Sequence, residues 1–131
     1  EATSEKMALG HYLDGRVSAL CGTHTHVPTA DWQILPGGTA FQCDVGMTGP
    51  HESILGRRID RVLETTISFQ PTHFDVATDD VRLNGTLVDV EKQTGKALAI
   101  RRLCVTTEQA QNMLDAEAAE KSAAPSPPYV L

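Results

Sequence analysis

In EATSEKMALGHYL at the start of the chain, Ala2, Met7, Ala8, Leu9, Tyr12 and Leu13 recur at roughly helical spacing. That period predicts an amphipathic helix, with Gly15 as its stop. Val17, Ala19, Leu20 and Cys21 then form a short apolar run ending at Gly22, which predicts a buried strand. The extended backbone is expected to continue through Gly22-Thr23-His24-Thr25-His26 until Pro28, which has no ladder N–H, ends it. Trp32–Leu35, a Pro36-Gly37-Gly38 turn and Thr39–Cys43 predict a hairpin. Asp44–Pro50, with two glycines and a proline, reads as a tight loop of specific shape.

Glu52–Leu63 has helical character interrupted at Gly56, so one or two short helices are expected there. A brief strand at Phe74–Val76 follows. A longer hairpin comes next, Val81–Val90 and Lys96–Val105 around a turn at Glu91–Gly95. Val81, Leu83, Gly85 and Leu87 share one parity, while Val88 and Val90 hold the other, so both faces of this strand are expected to be covered. Thr106 and Gln109 form a capping box opening a polar, Ala-rich helix over 106–121, and residues 122–131, rich in proline, read as a disordered tail. Helices interspersed among strands predict an α/β or α+β layered fold, with residues 1–105 as its body.

Composition narrows the function classes. At 131 residues the chain has the size of one domain, and no apolar run approaches a membrane span of about 20 residues. The net charge of −6 disfavours a nucleic-acid duplex or an anionic membrane as partner. A phosphate-bearing substrate would need positive charge supplied locally, and a metal could supply it. Three cysteines, Cys21, Cys43 and Cys104, lack framework spacing and are expected as buried free thiols in the cytoplasm.

The candidate chemistry lies in GTHTHVPTAD. On an extended backbone His24 and His26 would present two imidazoles to the same side, at the C-terminal end of a strand where α/β ligand sites gather. The spacing alone leaves open a metal site or a pair of polar strand-end residues. A Cys₂His₂ zinc site from Cys21, His24, His26 and Cys43 is a weaker alternative, because Cys21 and His24 have opposite parity and no C-x-x-C knuckle is present.

Three segments together go further. ALGHYLDGRVSAL with GTHTHVPTAD, ILPGGTAFQ with DVGMTGP, and DVRLNGTLVDV with TGKA resemble, in order and spacing, the C-terminal half of the YmdB-type proteins. These are bacterial calcineurin-like metallophosphoesterases. The resemblance covers about Glu1 to Arg102 and implies part of a four-layer α/β/β/α sandwich with mixed sheets. It implies a two-metal centre of Fe, Mn or Zn that hydrolyses phosphodiesters such as 2′,3′-cyclic nucleotides. His24 and His26 match the family's metal ligands, one on each metal, while Asp31, Asp44 and Thr48 are candidates to support them from behind. For Asp31 a turn-capping role is an equal expectation.

The other metal ligands and the histidine that protonates the leaving group come, in the family, from the N-terminal half. His11, His51 and His73 stand outside matching motifs and are expected on the surface. The chain therefore resembles the back half of an enzyme. Its expected partners are a small phosphodiester substrate and either the N-terminal half of the same protein or a second copy. A non-enzymatic binding or assembly module is the alternative.

Overall fold

A computed structural model of the chain describes residues 2–123. The elements run α1 (Thr3–Leu13), β1 (Ala19–Cys21), β2 (Gln33–Ile34), β3 (Ala40–Gln42), β4 (Gly49–Pro50), α2 (Ile59–Ser68), β5 (Val81–Val90), β6 (Ala97–Thr106) and α3 (Thr107–Ala123). They build two three-stranded sheets in a mixed α/β fold. In the first, of order β1-β3-β2, β3 is parallel to β1 and antiparallel to β2; the second, of order β4-β5-β6, is antiparallel. Of the expected tail, Ser122 and Ala123 instead continue α3, and residues 124–131 lie outside the described residues.

Both hairpins form. Leu35 N–H donates to Thr39 O at 2.9 Å and Gly38 N–H to Leu35 O at 2.8 Å, closing the first turn. The second pairs Arg82–Val90 with Ala97–Thr106 through a register shift between Asp89 and Val90. The capping box is also present. Thr106 N–H donates to Gln109 Oε1 at 2.9 Å and Gln109 N–H to Thr106 Oγ1 at 3.2 Å, so β6 passes directly into α3.

Helix α1 ends as expected, with Gly15 at φ 77°, but it buries a different face. Met7, Leu9 and Tyr12 are exposed, whereas Lys6 and Gly10 are buried. Gly10 is there because the helix lies on Phe41: a Cβ at this position would come 2.7 Å from the ring. Three further expectations are corrected. Glu52–Leu63 is not helical at its start, because Leu55 and Gly56 take left-handed φ values of 53° and 90°, and the helix runs instead over Ile59–Ser68. Phe74–Val76 makes a single bridge, Val76 to Arg57, rather than a strand. Cys21 is exposed, while Cys43 is buried and Cys104 half-buried.

The two sheets meet through polar contacts. Gln42 is fully buried; its amide donates to Thr29 O at 3.1 Å and Asp44 O at 2.9 Å, and its Oε1 accepts from the Thr86 hydroxyl of β5. Both the oxygen and the nitrogen of the Gln42 amide are thus engaged, as burial of a polar side chain requires. Leu35, Phe41 and Cys43 form a small apolar core with Leu20 packed beside it. Covering on both faces of β5 is not seen: Val81, Leu83 and Leu87 remain 43–47% exposed, while Asn84 faces inward and is buried.

Two further contacts set the loops. Asp14 accepts from Gly37 N–H at 2.7 Å and Thr39 N–H at 3.2 Å, tying the end of α1 to the first hairpin turn. Gly22 allows the chain leaving β1 to pass beside β3, since a Cβ there would stand 2.0 Å from Cys43 O.

Substitution Gly22→Ala is expected to force those main chains apart and to cost about 1–3 kcal/mol, as overpacking does; a lowered urea midpoint with unchanged m-value would show it. The Asp14 carboxyl gives a pH signature. Desolvation pushes it up, but the Gly37 and Thr39 N–H groups, the Thr39 hydroxyl and Gly15 N–H together hold it below its ordinary 3.8. Its folded pKa is depressed, so its stabilisation is full above about pH 3.8 and is lost as the pH falls through the lower folded value. The urea midpoints of the parent and of Asp14→Asn should therefore differ at pH 7 and converge in stronger acid.

Candidate metal centre

The histidine segment leaves the C-terminal end of β1, and the Asp44 loop leaves the same end of its parallel neighbour β3. The two loops lie side by side and are joined along their length. Gly22 N–H donates to Gln42 O at 2.9 Å, Val45 N–H to Gly22 O at 2.9 Å, Thr29 N–H to Asp44 O at 3.0 Å and Met47 N–H to His26 O at 3.2 Å.

The strand itself stops at Cys21, so His24 and His26 do not share a face by strand parity. They sit in bends with φ values of 113° and 65°. The second lies in the left-handed region that histidine visits more readily than most residues; the first falls outside it and is strained. Neighbouring bonds hold this backbone in place. Asp44 is fully buried at its side chain, and its Oδ2 accepts from Thr25 N–H, between the two histidines, at 2.7 Å. Its Oδ1 accepts from Gly46 N–H at 2.8 Å. From α1, Lys6 Nζ donates to Thr23 O at 2.6 Å and lies 3.7 Å from Asp44 Oδ2. Burial alone would raise the Asp44 carboxyl, but the Thr25 and Gly46 N–H groups, the Thr25 hydroxyl and the Lys6 ammonium outweigh it and bring the pKa below 3.8.

Both histidine side chains are exposed. His26 Nδ1 is 3.1 Å from Leu55 O. Because a carbonyl only accepts, this bond fixes the proton on Nδ1 and leaves the Nε2 lone pair outward. A ligating histidine commonly has its other nitrogen held in this way. The anchor is a backbone carbonyl in the turn at Leu55-Gly56, a link of 29 residues that pattern reading of the histidine segment could not reach.

The other candidates fall elsewhere. Asp31 Oδ1 accepts from Cys43 N–H at 3.2 Å, the backbone-capping role, and its side chain bonds to neither histidine. Thr48 pairs with β5, its hydroxyl 3.3 Å from both Asn84 O and Asn84 N. His51, expected on the surface, is half-buried. Its Nδ1 donates to Gly49 O at 2.9 Å and its Nε2 accepts from Asn84 Nδ2 at 2.9 Å. His11 and His73 are exposed.

Among the described residues no group of three or more His, Cys, Asp or Glu side chains converges to hold a metal ion, which leaves the Cys₂His₂ arrangement without support. The imidazoles that this loop carries are those of His24 and His26. That pair suits part of a transition-metal site and does not complete one.

Comparison with known proteins places this geometry. A family model described as YmdB-like protein matches residues 1–103. Over 105 residues the chain is 50% identical to a Bacillus subtilis (strain 168) protein named 2′,3′-cyclic-nucleotide 2′-phosphodiesterase, covering 80% of this chain and 40% of that one. A crystal structure of a hypothetical protein from Thermus thermophilus superposes with a TM-score of 0.74 at 47% identity, over 81% of this chain and 41% of that one. A Mycoplasma pneumoniae protein described as a novel phosphatase gives 0.75 at 34%, over 85% and 41%. The chain thus spans about two fifths of the length of these relatives. With most of its length matched by the family model and half its residues shared with one relative over the matched region, the chain belongs to the YmdB-like protein family.

Proposed function

We propose that this chain supplies His24 and His26 to a two-metal centre that hydrolyses phosphodiesters, 2′,3′-cyclic nucleotides among them. The observation that carries the reading is the His26 ring, held through Nδ1 by Leu55 O with Nε2 free, in a loop at the C-terminal end of a parallel strand. The name of the B. subtilis relative supports the substrate class. Imidazole ligands suit Fe, Mn or Zn. When bound, such ions stabilise charge on the phosphoryl oxygens and lower the pKa of a coordinated water.

The chain's own part is orientation. Asp44 holds the peptide between the two ligands, and Lys6 clamps the same loop from α1. Asp44 is thus a positioning residue, with no direct share in the chemistry. The remaining ligands and the proton donor to the leaving group are assigned to the N-terminal half of the intact protein, which would complete the four-layer sandwich.

Uncovered apolar surface supports that partner. Ile34 on β2 and Val81, Leu83 and Leu87 on β5 are 38–47% exposed, although Leu35 beside Ile34 is buried. At ~25 cal/mol per Å², covering several hundred Å² of such surface is worth on the order of 10 kcal/mol, comparable with the stability of a domain. A second copy would supply cover only, whereas the N-terminal half would supply cover and ligands together.

Three outcomes are expected. The isolated chain should retain a divalent transition metal weakly, and His24→Ala combined with His26→Ala should abolish retention; equal metal contents by elemental analysis would refute the ligand assignment. Alone, the chain should show no appreciable turnover of a 2′,3′-cyclic nucleotide with Mn²⁺, and activity should appear when the N-terminal half is supplied; sedimentation equilibrium should show the two associated. Asp44→Ala should destabilise the chain by about 1–3 kcal/mol by stranding the Thr25 and Gly46 donors. In the assembled enzyme it should weaken metal retention, whereas Asp31→Ala should not.

A further inference from the structure

Beside His26 lies an open cleft of about 290 Å³ whose walls include Val27, Met47, His51, Ile54 and Leu55. Its volume is just below the roughly 300–1,000 Å³ of small-molecule sites, room for one nucleoside rather than a longer chain. His26 and Ser53 complete the lining, and among the described residues no Asp, Glu, Lys or Arg side chain belongs to it, so it supplies no lysine or arginine cation to hold a phosphate. The walls are apolar in a stretch of irregular backbone where water would favour polar side chains. Val27 is 60% and Leu55 54% exposed.

His51 adds a specific surface. Both its nitrogens are engaged inside the protein, Nδ1 with Gly49 O and Nε2 with Asn84 Nδ2. It therefore has no free lone pair for a metal and no free proton for a leaving group. Its ring is part of the cleft's lining, and the face of an imidazole is a surface on which a flat heterocycle can stack. Met47 is unbranched and polarisable and adapts to rings of different outline. The turn that contributes Leu55 to the lining is pre-formed. Ser53 Oγ donates to Pro50 O at 2.6 Å and accepts from Gly56 N–H at 2.9 Å, fixing the turn that carries Leu55.

Resting on the two-metal reading for the position of the phosphate, we propose that this cleft binds the nucleoside part of the substrate, with the base against Met47 and His51. Leu55 then has two tasks. Its carbonyl orients His26, and its side chain walls the nucleoside subsite, so the ligand histidine and the substrate's base are set by one turn. A sequence-tolerant surface of this kind accepts purines and pyrimidines alike and rejects phosphodiesters that lack a base.

The test uses the full chain labelled with ¹³C at its methionine methyls, Met7, Met47 and Met113, and adenosine as the probe, which needs neither metal nor turnover. Adenosine and uridine should shift the Met47 methyl saturably and leave Met7 and Met113 in place; ribose 5-phosphate and inorganic phosphate should not. Leu55→Asn keeps a residue that tolerates positive φ, and so keeps the carbonyl, while removing the apolar wall. It should weaken adenosine binding about tenfold. Val27→Ser should act in the same direction without touching the His26 anchor. No Met47 shift with either nucleoside at millimolar concentration, or an equal shift with phosphate, overturns the subsite. Hydrolysis is scored separately in the assembled enzyme. Turnover of cyclic nucleotides without a Met47 response removes the subsite and leaves the catalytic reading. A Met47 response with no turnover supports the subsite and removes the catalytic reading.

Discussion

The buried carboxylate of Asp44 is the contact on which the arrangement of this molecule depends. Two irregular chains leave the parallel strands β1 and β3 and run against each other. Neither has a sheet ladder to satisfy its backbone groups. Asp44 answers for several at once: its side chain accepts from Thr25 and Gly46, and its carbonyl from Thr29 and Gln42. Lys6, brought down by α1, balances its charge at 3.7 Å. An ionised carboxylate in such a place is tolerable only because every oxygen is paired and a cation is near.

That constraint explains an inversion in the packing. The largest fully buried side chains are Gln42, Thr39 and Asp44, and large apolar side chains are abundant on the outside. Polar groups occupy the seam between the sheets because loops and strand ends with unmet backbone needs converge there. The Gln42 contact with Thr86 and the Asn84 contacts with Met47 and His51 extend the same network into the second sheet. The apolar residues face outward on β5 and along α2, where a complementary half would lie on the proposed reading.

The backbone of the histidine segment belongs to the same logic. A backbone at φ 113° for His24 persists only where surrounding bonds fix it. Asp44 and Lys6 supply those bonds from one side, and the Leu55 carbonyl holds the His26 ring from the other. A loop of exposed side chains is thereby given a fixed shape, the preorganisation that two metal ions would need on the proposed reading.

Local pattern by itself determined the two hairpins, the Gly15 helix stop, the Thr106–Gln109 capping box and the histidine pair as the place to look. These depend on turn chemistry, caps and alternation, which act over a few residues. The matching segments also made the family legible, because their motifs recur in order and spacing. Tertiary structure alone decided which face of α1 is buried, since Gly10 is inward only because Phe41 lies beneath it. It alone ended the strand at Cys21 and turned the histidines into bends of positive φ, held by a carboxylate 19 residues from Thr25. It alone assigned Asp44 rather than Asp31 to the histidine loop, and joined Leu55 to His26. Period and propensity report what a segment prefers in isolation; partners distant in the chain supply the hydrogen bonds that overrule those preferences.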